Sequence, residues 1–321
     1  MAAAVIWGSI MFAVGMAAIF AILVFRRWLS ERHLRHSSSA LIGATKSYLG
    51  RIQNPDANSA STLVYAEKIR LDAVLNLSRL LRGSERDQLM ALADQDGMFD
   101  TALRDLARSN IRRKTHAIEL LNQFESAGSV RALSVTMAND PVYEMRLAAA
   151  FALARFGKLP APRDTISQLS LVANENSRVH MALLRSLAPQ YSHQLRQLAE
   201  DRDYRSIKAS IVDALGWSGD SSCLAEIELA ARDSAADIRC SSLRAAGHLG
   251  HPQAGRWIIP MLDDPDENVR IQAIRCAAQL ALSEALPQIE KLASDHSSWV
   301  RWRAEEAMGV LRPRQLRRSR S

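Results

Sequence analysis

Apolar positions at helical spacing, each run introduced by an acidic turn, organise the second half of the chain. In the stretch 263–282, DDPDENVRIQAIRCAAQLAL, the apolar side chains recur every three to four residues and fall on one helical face: Val269, Ala273, Ala277 and Leu280. The acidic turn closes one helix, and Asp264 and Asp266 offer carboxylates to the unpaired N–H groups that begin the next. Because this face is rich in alanine, it allows neighbouring helices to approach closely.

The same pattern recurs along the chain at nearly constant spacing. An apolar residue followed by a basic residue or histidine marks each predicted second helix. The markers are Arg146, His180, Lys208, Arg239, Arg270 and Arg301, with weaker copies at Arg70 and Lys114. A nearly fixed period of about 30 residues, built from two helices, is the signature of a solenoid.

This pattern resembles the HEAT repeat, in the short bacterial form also seen in phycobilisome-lyase-type repeats. The resemblance covers residues 130–312 well and 60–130 loosely. It implies a right-handed α-solenoid in which the turn Asp bonds backbone groups or the Arg of a neighbouring repeat. Periodic recurrence favours this structural role over catalysis, because an active site needs its acid once. The predicted ladder consists of Asp140, Arg146, Lys208, Asp233, Arg239, Asp264, Arg270, Asp295 and Arg301.

No stretch shows sustained strand alternation, so the sequence predicts an all-α protein. We divide it into a transmembrane anchor (1–25), a basic juxtamembrane segment and linker (26–62), an N-terminal helical cap with divergent repeats (63–129), HEAT-like repeats (130–312) and a basic disordered tail (313–321). The segment 36–62 is rich in Ser, Ala, Asn and Gly, and we expect it to be flexible. Its amphipathic run 40–52 is a candidate for contact with the membrane surface.

Residues 2–25 carry no charged side chain, and at about 1.5 Å per residue they span roughly 36 Å, enough to cross a bilayer core. A cleavable signal peptide would need a basic start and a shorter apolar run. Arg26 and Arg27 follow the run at once, which favours an uncleaved single-pass anchor. Because the flanking basic residues all follow the span, we expect the N-terminus outside and the repeats in the cytoplasm, at a bacterial inner membrane.

The net charge of +7 sits at the two ends of the chain. Residues 26–35 carry +3 and residues 312–320 carry +5, which leaves −1 for everything between. A repeat wall that grips nucleic acid needs a basic face, so we expect no nucleic acid partner. The basic tail is suited to anionic lipid instead.

The concave wall, lined by the second helices, is the predicted binding surface. The residues counted onto it include large side chains of the types that anchor protein interfaces, although a merely solvated face is the alternative. The candidate partner-binding residues are Arg185, Trp217, Arg244, His248, Arg275 and Arg303. Trp299, Arg301, Trp302 and Arg303 also interleave aromatic and basic residues, and we interpret them chiefly as the cover of the terminal repeat.

The sequence offers little other chemistry. It contains no Gly-rich phosphate loop, nucleophile elbow or His-Glu-x-x-His motif, and we expect no catalytic residue, metal or cofactor. Cys223, Cys240 and Cys276 are odd in number and lack Cys-x-x-Cys spacing, which fits a reducing compartment.

The sequence therefore favours a membrane-tethered cytoplasmic scaffold that binds a protein through its HEAT-like solenoid. A membrane glycosyltransferase or a secretion assembly would be a reasonable partner. The alternatives are a lyase-type HEAT-repeat enzyme acting on a tetrapyrrole or protein substrate and, opposed by the neutral body, a DNA-binding HEAT-like protein.

Overall fold

The computed structural model describes residues 39–54, 60–108, 110–173 and 178–318. These residues form helices and connecting turns, with no strand among them, which confirms the all-α prediction. The predicted span 2–25 lies outside the described residues. Within the described part of the chain, no helix is both long and apolar enough to cross a membrane.

The chain divides into two compact units, Met1–Ser129 and Val130–Ser321, and the division falls within helix α7 (Ala127–Asn139). The described helices of the first unit are short and follow one another closely. They are α1 (39–53), α2 (Ala60–Leu63), α3 (Glu67–Leu80), α4 (Gly83–Gln95), α5 (Met98–Leu106) and α6 (Ile111–Leu121).

Helix α1 differs from the flexible linker and membrane-surface segment expected over 36–62. Tyr48 and Arg51 are buried, and both reach Asp96 at the end of α4. An Arg51 Nη1 lies 2.9 Å from Asp96 Oδ2, and the Tyr48 hydroxyl donates to the same oxygen at 2.7 Å. Because both charged side chains are only 3% exposed, losing either would leave the other unpaired and buried. Helix α1 is therefore part of the folded unit.

In the second unit, short 3₁₀ turns and short first helices alternate with longer second helices. Its helices after α7 are α8 (Tyr143–Arg155), α9 (Pro162–Gln168), α10 (Arg178–Glu200), α11 (Lys208–Leu215), α12 (Leu224–Ala230), α13 (Ala236–Leu249), α14 (Gly255–Ile258), α15 (Glu267–Gln279), α16 (Leu286–Leu292) and α17 (Ser298–Arg318). The second helices α10, α11, α13, α15 and α17 pack in sequence, each against the next. This order is that of a repeat solenoid.

Its core follows the predicted face. Val269, Ala273 and Ala277 are fully buried. Close stacking needs small groups elsewhere too: a Cβ on Gly216, at the end of α11, would lie 2.4 Å from the Cα of Ala245 in α13. Glycine is required there because backbone cannot move aside as a flexible side chain can.

Candidate binding wall and its supporting ladder

The turn aspartates of the regular repeats hold the start of each second helix. Each carboxylate accepts a hydrogen bond from the backbone N–H two residues further on. Asp233 accepts from Ala235 at 3.1 Å, Asp264 from Asp266 at 2.9 Å and Asp295 from Ser297 at 2.8 Å. Asp140 accepts from Val142 in the same way at 2.9 Å. This bond fixes the turn between the two helices of a repeat.

The ladder arginines join one turn to the next. Arg239 donates from Nε and Nη2 to Asp264, both at 2.9 Å, and Arg270 does the same to Asp295 at 2.9 and 3.0 Å. Each arginine also donates from Nη1 to the carbonyl of its own repeat's Asp, 3.0 Å for Arg239 and 2.8 Å for Arg270. Paired hydrogen bonds of this kind fix orientation as well as distance. This is the geometry that the ladder interpretation requires.

The ladder changes at Asp233. Lys208 donates to it at 3.1 Å, and Arg205, which sequence analysis missed, supplies the bidentate contact at 2.6 and 2.7 Å. The hydrogen bonds from Arg205 are the main reason that the pKa of Asp233 is lowered. Arg146 donates to the carbonyl of Asp140 at 2.9 Å, while the matching residue of the following repeat, Asn174, lies outside the described residues.

A second ionic arrangement lies on the wall, centred on Asp213. Its carboxylate is fully buried and accepts Arg185 Nε at 2.6 Å and Arg244 Nε at 2.9 Å. Arg244 also donates from Nη2 to Ser241 Oγ at 2.7 Å. The three charged residues come from α10, α11 and α13, so one carboxylate joins three successive second helices.

Trp217 and His248 extend this arrangement along the wall. Their ring centroids are 4.1 Å apart, and the Arg185 guanidinium lies 5.1 Å from the Trp217 ring. Trp217 is 43% exposed, so much of the indole still faces solvent. Partial removal from water lowers the pKa of His248, although the charge of Asp213 opposes that shift. The imidazole is therefore mostly neutral near pH 7. We call these five residues, Arg185, Asp213, Trp217, Arg244 and His248, the wall cluster.

The remaining predicted wall residues lie apart from the wall cluster. Arg275 is exposed and has no acceptor among the described residues. Arg303 stacks on Trp302 at 4.5 Å and pairs with Glu306 in its own helix. Arg275, Arg303 and Glu306 border a separate pocket of about 200 Å³ between α15 and α17.

The structure corrects one expectation about the wall. Arg185 and Arg244 were predicted only as partner-binding residues, but both also hold the buried carboxylate of Asp213. Sequence analysis missed this role of Asp213. The signal was available, because equivalent positions of three successive repeats read Arg185, Asp213 and Arg244.

The cysteines are buried. Burial raises the pKa of the Cys240 thiol to about 11 and that of Cys276 to about 12, so both are protonated and unreactive near pH 7. Over the described residues, no group of three His, Cys, Asp or Glu side chains is placed to hold a metal ion.

Residues 224–309 match the profile of the HEAT repeats family, and this stretch holds the most evenly spaced repeats of the chain. No curated protein matches the chain. Among solved structures, human deoxyhypusine hydroxylase is 15% identical over 86% of this chain and 98% of that one, with a TM-score of 0.35. A phycocyanin lyase complex from Nostoc is 18% identical over 66% and 94%, with a TM-score of 0.36. A designed armadillo repeat protein is 17% identical over 65% and 98%, with a TM-score of 0.33.

Proposed function

We propose that this protein is a membrane-tethered cytoplasmic adaptor without chemistry of its own, whose HEAT-like repeats bind a protein partner. The observation that carries this proposal is the wall cluster. It places a half-exposed tryptophan, a stacked histidine and two arginines side by side on the second helices.

The wall cluster is fixed before any partner arrives. Each arginine is held by its Nε–H bond to Asp213, and the Trp217 ring contacts both the Arg185 guanidinium and the His248 ring. Ordering a long side chain on binding costs about 0.5–1.5 kcal/mol, so side chains already fixed in place favour affinity. Arginine and tryptophan are also the residues that most often carry binding energy at protein interfaces.

The tether is inferred from the uncharged run 2–25 and from Arg26 and Arg27 that follow it. A partner at the same inner membrane is then favoured by concentration, since tethering both proteins to one surface raises their encounter frequency. A membrane glycosyltransferase or a secretion assembly fits this setting. The arginines of 312–320 would contact anionic lipid, each contributing about 1 kcal/mol near the surface.

Binding at the wall is tested by the double substitution Trp217→Ala with His248→Ala. This variant leaves Asp213 and both of its arginines in place, so we expect normal helicity and cooperative unfolding. Proteins that co-purify with the full chain in mild detergent, quantified by mass spectrometry, should fall at least about tenfold, as for loss of a hot spot. Leu229→Ala on α12, which is 60% exposed, is the matched control and should retain them. Full retention by the double variant would contradict the wall assignment.

The topology is tested separately with a reporter that is active only in the periplasm. Fused after Ser321 it should stay silent, because the repeat body is proposed to lie in the cytoplasm. Strong activity would reverse the orientation or support a cleaved signal peptide.

A further inference from the structure

Arg301, the last ladder arginine, is held as Arg239 and Arg270 are. Its Nη1 donates to the carbonyls of Asp295 and His296 at 2.7 and 3.1 Å. The corresponding contacts of Arg270, to Asp264 and Pro265, are 2.8 and 3.1 Å. These two carbonyls therefore set the direction of the guanidinium in both repeats.

What differs is the opposite edge of the guanidinium. In Arg239 and Arg270 the Nε and Nη2 groups bind the two oxygens of the next repeat's aspartate. In Arg301 the same two groups have no acceptor among the described residues. In Arg239 and Arg270 this pair of donors binds a carboxylate of the next repeat. In Arg301 the same pair lies on the outer side of the repeat without a carboxylate in the described part of the chain.

Two exposed tryptophans, Trp299 and Trp302, lie in the same first turns of α17 as Arg301. Trp299 is 66% exposed and Trp302 is 49% exposed, and their rings meet edge to face at 6.2 Å. Trp302 occupies the repeat position that Cys240 and Ile271 hold in the two preceding second helices. Both large rings therefore offer apolar surface to a partner.

The outer side of α17 is nevertheless not suited to another repeat of the same kind. Leu243 and Ile274, buried at equivalent positions of α13 and α15, are replaced by the exposed Glu305. A stacked HEAT-like helix would bury this carboxylate at high cost. A second copy of this chain could not supply Asp264 or Asp295 either, because Arg239 and Arg270 already bind them.

We propose that Arg301, Trp299 and Trp302 form a second docking face, for an acidic turn of another protein. One Asp or Glu carboxylate of that turn would accept Nε and Nη2 of Arg301, as Asp295 accepts those of Arg270. Apolar residues beside it would lie against the two tryptophans. The face lies on α17, whereas the wall cluster lies on α10, α11 and α13.

The test uses the full chain expressed in cells, with a photoreactive p-benzoylphenylalanine in place of the exposed Glu305. Cross-linked peptides are sequenced, and yields are compared between this protein and versions that also carry Arg301→Gln, Arg301→Lys or Arg155→Gln. Arg155 is the matched control, because it is an exposed arginine of another second helix, α8, and holds no carboxylate among the described residues. Thermal unfolding of each variant checks that the repeats remain folded.

We expect the cross-linked segment to carry an Asp or Glu, and its yield to fall at least about tenfold with Arg301→Gln, since removing one partner of a desolvated charge pair leaves the other charge buried and unpaired. Arg301→Lys should be intermediate because it keeps the charge but loses the planar donor pair. Replacing the identified acid by Arg should restore cross-linking to an Arg301→Glu variant. Equal loss with Arg155→Gln, no loss with Arg301→Gln, no cross-link, or cross-links only to lipid or to a second copy would overturn the proposal.

Discussion

Two arrangements within the second unit use Asp–Arg ion pairs for different purposes. In the ladder, the arginine side chains are 13 and 14% exposed, and Arg239 and Arg270 bond both a carboxylate and backbone carbonyls. In the wall cluster, Arg185 and Arg244 are 30 and 31% exposed, and each gives only Nε to Asp213. Both arrangements join successive repeats, but the arginine side chains of the second are more than twice as exposed as those of the first.

The difference shows how to separate architecture from recognition in a repeat protein. The ladder recurs once in every regular repeat, because each pair of turns meets its neighbour in the same way. The Asp213 arrangement is tied to one place and departs from the period. A stabilising contact that interrupts the repeat, beside exposed aromatic rings, is the stronger candidate for a binding surface.

The largest expected effect is at Asp213. Asp213→Asn removes the charge that two arginines share, and we expect the free energy of unfolding to fall by about 3 kcal/mol, the lower end for breaking a buried pair, because both guanidiniums keep some water. Urea unfolding measures the change. Asp237→Asn, exposed on α13, should stay within about 0.5 kcal/mol. A small effect at Asp213 would show that its ion pairs contribute no more to stability than exposed ion pairs do.

The ladder comes next. Arg270→Ala leaves the Asp295 carboxylate and the Asp264 carbonyl without the hydrogen bonds that Arg270 donates. We therefore expect the free energy of unfolding to fall by about 1–3 kcal/mol. Arg275→Ala, further along the same helix, should change it by less than about 0.5 kcal/mol. If the Arg270 variant unfolds like wild type but no longer binds its partner, Arg270 contacts the partner and does not stabilise the fold.

Lowering the pH distinguishes the contribution of the ladder ion pairs to stability from other contributions. Burial by itself raises the pKa of Asp295, but hydrogen bonds from Arg270 and the Ser297 N–H outweigh it and leave that pKa lowered. The unfolded chain, with an Asp pKa of about 3.9, then binds more protons than the folded one, so stability falls as pH drops below about 4. The stability difference between wild type and Asp295→Asn should be constant from pH 7 to 5 and shrink below pH 4, as measured by urea unfolding. A difference that stays undiminished as the pH falls below 4 would contradict the ion-pair origin.

The smallest expected change in stability is at Trp217. Trp217→Ala removes the stack on His248 and the cation–π contact with Arg185, which at a partly exposed site contribute about 0.5–1 kcal/mol. Differential scanning calorimetry measures the loss. A loss above about 3 kcal/mol, the range for truncating a core aromatic side chain, would show that the indole belongs to the core. It would also remove the main support for a binding wall.

Several features of the protein could be read from the sequence because they repeat. The all-helical class, the buried face of Val269, Ala273 and Ala277, and the pairing positions of the ladder all follow from one pattern that recurs from repeat to repeat. Each repeat meets its neighbour through the same surfaces, so one period carries the information for all of them.

Tertiary structure decided the features that occur once. Ser-, Ala- and Gly-rich composition indicates a linker over 36–62, yet Tyr48 and Arg51 bind Asp96, which is distant from both in the sequence, and α1 folds against it. Arg205 at Asp233, and Asp213 between two arginines, likewise depend on which charged groups meet across neighbouring helices. A buried charge is stable only beside its partner, and that partner is set by packing, which periodicity along the chain does not specify.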